Sequence, residues 1–411
     1  MRAAWPIKAL AEVCEIKPPK NEAKRKLQNA DSVSFVPMED LGIDQKFLEP
    51  KAERSLGQVA GSYTYFADGD VLLAKITPCF ENGKLGVARG LTNGIGFGSS
   101  EYIVFRPRHE LSNEYLYYFL LQDSFRADGI KTMSGAVGHK RVSKEFVEHF
   151  QIPLPTLPEQ QRIVAILDDA FAGLATATAN AEKNLKSARE LFDSYLNSVF
   201  MQRGEGGREL LLGEVCSISS KLVDPREPKF IDLPHLGAGN MASKTGELSG
   251  IKTAREEGLK SGKFLFDKTM VLYSKIRPYL MKACRPDFEG LCSADVYPLS
   301  PDPAQLDRNF LFHLLMSKDF TEFAIAGSDR AGMPKVNRDH LFKYCVKLPS
   351  IEEQIQLASK LDAISAEANR LEVFYERRVV DIANLKQSIL RKAFSGELTS
   401  PPSQVIQEAA E

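Results

Sequence analysis

The sequence is poor in cysteine, with six in 411 residues. No two cysteines form a C-x-x-C motif, and no group of cysteines and histidines has the spacing of a zinc site. This pattern excludes a module held together by zinc or by a dense disulfide framework, and it predicts reduced, mostly buried thiols. The six residues are Cys14, Cys79, Cys216, Cys284, Cys292 and Cys345.

Long apolar runs are lacking as well. No uninterrupted apolar stretch reaches the ~18 residues that are needed to span a bilayer. The opening residues MRAAWPIKALAEV have neither a continuous apolar core nor a small-residue cleavage site, so they lack the pattern of a signal peptide. Together these features predict a cytoplasmic protein that does not enter a membrane.

Several enzyme signatures are absent. The chain has no Walker A loop and no G-x-S-x-G elbow. Its two Pro-Pro pairs lack the flanking residues with which an amino-methyltransferase holds a flipped base, and Asp287 is not followed by the E-x-K of a magnesium nuclease. We therefore expect no methyltransferase, nuclease or ATP-driven motor here, although composition leaves Ser/His/Asp and Cys/His hydrolase arrangements open.

The chain also lacks an excess of either charge, since its formal net charge is −1. Residues 1–155 carry 20 Lys and Arg against 19 Asp and Glu, and residues 205–349 carry 21 against 19. A global basic field of the kind that attracts nucleic acid is therefore excluded. Any nucleic-acid face has to be a local patch.

What the sequence does contain is a long internal repeat. The segment LAEVCEI at residues 10–16 matches LGEVCSI at residues 212–218, an offset of 202. From residue 142 onward the offset settles at 194 and stays free of gaps for nearly 60 residues, pairing Gln160 with Gln354. The chain is therefore predicted to be a tandem duplication of a unit of about 200 residues.

Each copy has two parts of different character. The first part is rich in turn residues, with short β-type runs such as 102–105 and helical stretches such as 114–123, and it predicts a compact α+β globule. A proline-bounded stop and a long helix follow in each copy. The predicted domains are a first globule at 1–155, a central helical spacer at 156–204, a second globule at 205–349, a C-terminal helical spacer at 350–400 and a flexible tail at 401–411.

Both helical segments carry an apolar heptad seam over at least four heptads. Neither helix can bury its seam alone, so we expect the two helices to form a coiled coil. Because a globule separates them in sequence, the pairing is predicted to be antiparallel; the alternative is that each helix packs on its own globule. The residues predicted to pair are Leu167, Leu174, Leu191, Tyr195, Leu361, Ile364, Leu371, Tyr375, Ile382, Leu385 and Ile389.

Two stretches in each globule combine cationic side chains with turn residues: 75–84 and 134–141 in the first, 275–282 and 330–338 in the second. Glycine permits close approach of the backbone to DNA, and Arg, Lys and Asn read base edges or hold phosphates. The alternative for any one of them is a solvated charge without a partner. The predicted DNA-binding residues are Lys75, Thr77, Lys84, His139, Lys140, Arg141, Lys275, Arg277, Tyr279, Lys282, Lys335, Asn337 and Arg338.

The chemistry around these stretches differs between the copies. Thr77 stands where the second copy has Arg277, which indicates two readers with different targets on one scaffold. Such a protein would recognise a two-part, asymmetric sequence, with the helices setting the gap. A basic run in the first copy has the composition of a flap that contacts phosphates, and a solvated segment is equally consistent with it; the run comprises Lys17, Lys20, Lys24, Arg25 and Lys26.

The order globule, long helix, globule, long helix resembles the specificity subunits of type I restriction–modification enzymes. The phrases IPLPTLPEQQRI at 152–163 and LPSIEEQ at 348–354 are similar to that family's entry into its helices. The phrase SILRKAFSGEL at 388–398 is similar to its C-terminal ending, which the earlier copy at 194–200 lacks in part. The resemblance covers the whole chain.

This resemblance implies two target recognition domains that each read half of a bipartite site in double-stranded DNA. It implies that the helices dock two methyltransferase subunits, which flip and methylate adenine, and that motor–nuclease restriction subunits complete the complex. S-adenosylmethionine, ATP and Mg are then expected on those partners, with no catalytic residue, cofactor or metal in this chain. Two alternatives remain: a system in which one polypeptide carries both nuclease and methyltransferase, and a coiled-coil scaffold or protein-interaction module without DNA readout.

Overall fold

The structure is a computed structural model that describes residues 5–136, 138–201, 208–218, 222–328 and 334–399. The predicted tail at 401–411 and residues 330–333 of one predicted loop lie outside the described residues. Contacts divide the chain into two compact units. The first unit comprises residues up to Asn180 together with residues from Arg378 onward, and the second runs from Ala181 to Arg377.

The first copy of the repeat is a mixed α+β globule followed by a long helix. Its strands are β1 (Ile7–Ala9), β2 (Cys14–Ile16), β3 (Ser32–Val36), β4 (Ala52–Ser55), β5 (Thr64–Ala67), β6 (Val71–Ala74), β7 (Leu85–Val87), β8 (Ile95–Gly98), β9 (Tyr102–Pro107) and β10 (Gln151–Pro153). Its helices are α1 (Leu10–Val13), α2 (Asn21–Lys26), α3 (Leu56–Val59), α4 (Asn113–Leu120), α5 (Asp123–Lys131), α6 (Lys144–His149) and α7 (Leu157–Met201).

The second copy repeats this order. Its strands are β11 (Arg208–Leu211), β12 (Cys216–Ile218), β13 (Leu222–Val223), β14 (Pro234–Leu236), β15 (Lys252–Thr253), β16 (Lys263–Phe266), β17 (Val271–Ser274), β18 (Ala283–Cys284), β19 (Gly290–Cys292), β20 (Val296–Pro301) and β21 (Cys345–Leu348). Its helices are α8 (Leu212–Val215), α9 (Arg308–Leu315), α10 (Lys318–Ala326), α11 (Arg338–Leu341) and α12 (Ile351–Phe394).

The sheets confirm the duplication. The first copy has a four-stranded sheet in the order β2-β9-β6-β7, and the second has β12-β20-β17-β18 in the same arrangement. A second sheet has the order β4-β3-β8-β5 in the first copy and β13-β16-β19-β14-β15 in the second. The copies differ where the chain leaves the first sheet, because the first forms helix α2 and the second adds strand β13.

The strands and helices of each globule enclose an apolar core. Strands β6 and β8 are buried at every position, as expected for strands covered on both faces. Helices α4 and α9 begin at polar caps, because Ser112 accepts a hydrogen bond from the Tyr115 amide and Asp307 accepts two from its own first turn. Each core also takes in residues of both long helices, which fixes the globule to the helical part of its unit.

The two long helices run antiparallel within each unit, as predicted from the globule that separates them in sequence. In the first unit, Leu167 of α7 shares a core with Leu390 of α12, and the Lys386 ammonium lies 5.0 Å from the centre of the Phe171 ring. In the second unit, Arg189 pairs with Glu372 at 2.9 Å and with Glu376 at 3.0 Å. Further along α7 in that unit, the Lys360 ammonium lies 5.2 Å from the Tyr195 ring, so the partner position falls as the α7 position rises.

Two of the residues predicted to pair do not lie in the seam. The side chains of Leu191 and Leu385 are 66% and 50% exposed, so this part of the heptad prediction is wrong. The residues that recur every seven positions from Leu167 to Tyr195 and from Leu361 to Ile389 stay buried or half-buried, whereas Leu191 and Leu385 each stand four residues before one of these positions. The physical reason is that each helix buries a stripe only one heptad position wide at this point, so the second position is not covered by a partner.

The other predicted pairing residues are buried or half-buried. They are Leu167, Leu174, Tyr195, Leu361, Ile364, Leu371, Tyr375, Ile382 and Ile389.

A buried glutamine ties the start of each long helix to its globule. The Gln160 amide accepts a hydrogen bond from the Ser112 backbone at 2.8 Å and donates to the carbonyls of Glu110 and Pro155, both at 2.9 Å. Both glutamines are fully buried. Gln354 makes the same three bonds, accepting from Asp307 and donating to the carbonyls of Gln305 and Pro349. The repeated Glu-Gln of the sequence is therefore a structural tether.

Within the described ranges, one helix is long and apolar enough to cross a membrane by length and composition alone. It is α7 over Leu157–Phe200, whose most apolar 18-residue window has a mean hydropathy of 1.2. A single helix of this kind is weak evidence for a membrane span. The same helix gives Leu167 to the core of the first unit and Leu196 to the core of the second, as an amphipathic helix of a globular protein does.

The thiols have the predicted form. All six cysteines are free, and Cys14, Cys216, Cys284 and Cys292 are buried. Burial raises the pKa of the Cys14, Cys216 and Cys284 thiols to about 12, since a thiolate is disfavoured in an apolar core. Cys345 is exposed.

Candidate nucleic-acid interface

The two stretches predicted in the first globule meet at one edge of its four-stranded sheet. Ile76 and Arg141 form an antiparallel bridge, and the Thr77 amide donates to the Lys140 carbonyl at 2.9 Å. The Val142 amide donates to the Lys75 carbonyl, also at 2.9 Å. Residues more than 60 positions apart in sequence thus form one surface, whereas the sequence alone had indicated two separate loops.

A carboxylate lies between the cations of this surface. Glu101 accepts two hydrogen bonds from the Arg141 guanidinium, at 2.8 and 2.9 Å, and lies 3.8 Å from the Lys75 ammonium. The hydrogen bond from Arg141, with the nearby Lys75 charge, holds the pKa of Glu101 below its ordinary value. Lys75 also donates to the Ser100 carbonyl at 3.0 Å, so both cations are oriented by the loop that precedes β9.

The second globule builds the same arrangement from different residues. Ile276 and Lys335 form the bridge, and the Arg277 amide donates to the Pro334 carbonyl at 2.9 Å. Asp295 takes the place of Glu101, at 3.2 Å from the Lys335 ammonium and 3.7 Å from that of Lys275. The Lys275 ammonium donates to the Ala294 carbonyl at 2.6 Å.

Two of the predicted DNA-binding lysines are held by the protein itself. The Lys84 ammonium donates to the Met38 carbonyl at 2.7 Å, and that of Lys282 donates to the Ala238 carbonyl at 2.8 Å. Both side chains are half-buried. These matched bonds anchor the returning arm of each loop to the neighbouring sheet.

The donors left exposed differ between the two surfaces. In the first, Thr77 donates its hydroxyl to Glu81 at 2.8 Å, while His139 and Lys140 are exposed on the adjoining loop. In the second, Arg277 is exposed in a left-handed backbone conformation with φ of 50°, and Tyr279 is 53% exposed. Among the described residues, the exposed hydrogen-bonding groups therefore lie on different loops of an otherwise repeated frame.

The last two predicted residues lie at the start of α11. The Asn337 side chain accepts a hydrogen bond from the His340 amide at 2.7 Å and caps the helix. Arg338, the first residue of the helix, is half-buried. In the first unit Ser143 caps α6 in the same way, which identifies the capping role as part of the repeat.

The residues predicted from the sequence did not include the two carboxylates that lie between the cations of these surfaces. Glu101 and Asp295 stand 194 positions apart, the same offset as Arg141 and Lys335. This offset is the signal that would have found them, because a conserved acid at a repeated position points to a shared structural role. Both acids neutralise part of the cationic charge. Each surface therefore presents hydrogen-bond donors in fixed orientations more than a field of unpaired positive charge.

Chemically, the arrangement suits hydrogen bonding to base edges and to phosphates. A guanidinium reads two acceptors of guanine at once, a lysine ammonium binds phosphate as a point charge, and a tyrosine hydroxyl both donates and accepts. Among the described residues, no group of three or more His, Cys, Asp or Glu is placed to hold a metal ion.

The fold and these surfaces define a protein with two homologous loop-bearing domains on a shared helical scaffold. The chain belongs to the family described as the type I restriction modification DNA specificity domain, whose model matches residues 3–186 and 209–373. The match covers both globules, so the chain contains two copies of this domain.

Known relatives agree with this assignment. The chain is 37% identical over 187 residues to the type I restriction enzyme EcoDI specificity subunit of Escherichia coli, which covers 46% of this chain and 41% of that subunit. This chain thus spans about two fifths of that relative. The HsdS subunit from Thermoanaerobacter tengcongensis is 21% identical with a TM-score of 0.63, over 97% of this chain and 98% of that one.

A second solved chain comes from work on complex assembly and conformational transition of the type I R-M system. It is 21% identical with a TM-score of 0.77, over 97% of this chain and 99% of that one. At this identity the two solved structures establish the fold, which is the predicted one: two α+β domains with two long helices.

Proposed function

We propose that this chain is the DNA sequence-specificity subunit of a type I restriction–modification complex and that it reads a bipartite, asymmetric DNA site. The observation that supports this most is one loop frame built twice with different exposed donors. The frame is repeated through Lys75 and Lys275, whereas Thr77 and Arg277 differ. Two readers with different chemistry on equivalent scaffolds require a target with two different halves.

The residues proposed to contact DNA are those of the two loop surfaces. Arg277, Tyr279, His139 and Lys140 are exposed and suited to base edges or phosphates. Lys84 and Lys282 are proposed to act by fixing the loops, since their ammonium groups already bind main-chain carbonyls. The coiled-coil scaffold without DNA readout is not favoured, because the family match extends over both globules.

We further propose that chemistry takes place on partner subunits and that this chain supplies recognition in the cytoplasm. Methyltransferase subunits would carry S-adenosylmethionine, and motor–nuclease subunits would carry ATP and Mg. The long helices would set the gap between the half-sites, since α7 has 45 residues and a length of about 67 Å.

The exposed leucines suggest where two methyltransferase subunits dock. Leu191 and Leu385 are 194 positions apart, at equivalent places of the repeat, and both are exposed. Two copies of one partner need two equivalent patches, and a large exposed leucine at each is a suitable centre. We expect Leu191→Asp and Leu385→Asp each to reduce the methyltransferase bound per chain from two copies to one in native mass spectrometry, with Lys183→Asp as the control.

The test of the proposed function is a methylome. The chain is expressed with its methyltransferase subunit in a host that lacks adenine methylation, and modified bases are mapped by sequencing. One bipartite motif with N6-methyladenine in each half, absent when this chain is omitted, is the expected result. No motif, with a folded methyltransferase bound to the chain, would favour the scaffold alternative.

A further inference from the structure

The basic run of the first unit is a patch of unpaired positive charge. Lys17, Lys24, Arg25 and Lys26 are exposed and Lys20 is half-buried. Within the described part of the chain, no carboxylate lies within ion-pair distance of any of these five side chains. The acid of the same segment is already engaged, because Glu22 accepts hydrogen bonds from Arg106 at 2.5 Å and from the Tyr65 hydroxyl at 3.1 Å.

Lys20, the cap residue of α2, and Lys24 lie one helical turn apart, and Lys17 is three residues before the cap. Burial is the main cause that lowers the pKa of Lys20, and the charges of Lys17 and Lys24 lower it further. The Lys20 ammonium is fixed in place by donating to the Gly61 carbonyl at 3.1 Å. Cations that repel one another without a carboxylate between them bind an anion more favourably than isolated lysines, because the anion removes the repulsion.

The patch and the loop surface of the first unit both follow strands of the same four-stranded sheet. Strands β2 and β6 flank β9 and are both antiparallel to it, so they run in the same direction. Ile16 of β2 lies opposite Phe105 and Ala74 of β6 lies opposite Tyr102, so β2 ends three residues short of β6 along β9. Lys17 follows β2 and donates its amide to the Val104 carbonyl at 2.8 Å, while Lys75 follows β6. From strand spacing and residue rise, the backbones of these two lysines lie roughly 15 Å apart, which is within the width of a DNA duplex.

In the equivalent segment of the second unit, Arg226 and Lys229 are paired with carboxylates, and Lys221 lies outside the described residues. At the offset of 202 found for the flanking residues, Lys20 corresponds to Leu222 and Lys24 to Arg226. Arg226 forms a bidentate pair with Asp224, with its shortest bond at 2.7 Å, and Lys229 pairs with Glu227 at 3.2 Å. The described residues of the two segments therefore differ in free positive charge.

We propose that Lys17, Lys20 and Lys24 form a phosphate-binding site for the backbone of duplex DNA, with no counterpart among the described residues of the second unit. This site rests on the proposed function and adds to it a difference between the two units in how they bind DNA. The first unit contributes most of the sequence-independent, salt-sensitive affinity, and the second unit depends more on contacts to bases.

The salt dependence of DNA binding tests this site. Each phosphate contact contributes about −0.9 to the slope of log K against log salt concentration. We expect Lys17→Gln/Lys20→Gln/Lys24→Gln to make the slope shallower by about 2 to 3. The measurement is fluorescence anisotropy of the full chain, in complex with its methyltransferase, on a 40-base-pair duplex of random sequence over a KCl series.

Two further variants keep the test decisive. Lys17→Gln/Lys24→Gln changes only exposed side chains and should make the slope shallower by about 2, even if loss of Lys20 perturbs folding. Arg226→Gln/Lys229→Gln is the matched control in the second unit, and it should leave the slope within about 0.5 of the parent value. An unchanged slope for the folded double variant, or an equal change in the control, overturns the site.

The result also separates this inference from the proposed function. If the parent complex binds the duplex with a steep salt dependence and both lysine variants match it, the site fails and the specificity function stands. If the parent complex shows no salt-dependent binding, the proposed function fails and takes the site with it.

Discussion

Equivalent aspartates of the two long helices have different surroundings. In the first unit Asp168 accepts from the Lys46 ammonium at 2.6 Å and from the Tyr118 hydroxyl at 2.5 Å. In the second unit Asp362 pairs with the Arg285 guanidinium and with the imidazole of His313 at 2.8 Å. Tyr118 and His313 are each the sixth residue of their helix, so one position of the repeat holds two chemistries.

Some features are the same in both copies of the repeat, and others differ between them. The main-chain tether by glutamine, the aspartate on the helix and the lysine that anchors each loop occur in both copies. The side chains that contact the two aspartates differ between the copies, and so do the exposed hydrogen-bond donors of the loops. A scaffold that tolerates such change beside fixed anchors can acquire new half-site specificities without rebuilding its core.

The tethers should matter most, and equally in both units. Gln160→Leu leaves one buried amide and two carbonyls without their partner, which costs about 3 kcal/mol of unfolding free energy at about 1 kcal/mol each. The single tryptophan, Trp5, packs on the core of the first unit, so its fluorescence reports on that unit alone. Gln160→Leu should lower the urea midpoint of this signal, and Gln354→Leu should leave it in place.

The second tether is measured by hydrogen exchange. Gln354→Leu should reduce the protection of amides in α9 as strongly as Gln160→Leu reduces it in α4. A much smaller effect at either site would show that the two glutamine tethers are not equivalent. It would contradict the statement that both copies keep the same tether.

A smaller and unequal effect is expected for the aspartates. Asp362→Asn leaves Arg285 and the buried His313 without a carboxylate, and about 2 kcal/mol of unfolding free energy should be lost, since the pair is partly exposed. Asp168→Asn should cost about 1 kcal/mol or less, because Lys46 keeps Glu114 at 2.5 Å and Tyr118 keeps an acceptor. Local hydrogen exchange in α9 and α4 gives both values, and equal losses would contradict the asymmetry.

Acid should weaken the second unit first. Burial lowers the pKa of His235 and His313 below the ordinary 6.5, whereas His109, His139 and His149 of the first globule are exposed. The unfolded chain then binds protons more readily than the folded one. The contribution of the two histidines to stability is therefore complete above pH 6.5 and declines as pH falls below it.

Hydrogen exchange at pH 8, 6 and 5, corrected for intrinsic rates, measures this difference. Amides of β14 and α9 should lose protection before those of β3 and α4. His313→Tyr, which installs the residue of the first unit, should narrow the gap between the units. Parallel loss in both units would show that the buried histidines do not set the acid sensitivity.

Much of the fold was predictable because repetition and periodicity are local signals. The offset of 194 identified the duplication, the heptads identified two pairing helices, and the globule between them predicted the antiparallel direction. The failures at Leu191 and Leu385 arise because periodicity alone does not show whether both apolar positions of a heptad are covered by a partner. The strand order was not predictable, since pairing of β3 with β8 joins residues some 60 positions apart.

The candidate site was predictable as composition but not as geometry. Residue type marked the loops, yet nothing local shows that Lys75 and Arg141 share Glu101, or that the Lys84 ammonium is occupied by Met38. Whether a lysine faces solvent or anchors a loop depends on tertiary contacts. The same holds for Asn337, whose amide caps a helix.

In the proposed function, each unit reads its own half of the target. The most direct measurement is the methylome of Arg277→Gln/Tyr279→Ala, compared with that of the parent chain in the same host and with the same methyltransferase subunit. We expect the motif to relax or change in one half only, with the other half and the gap retained. A change in both halves, or an identical motif, would contradict independent reading by the loops of the second unit.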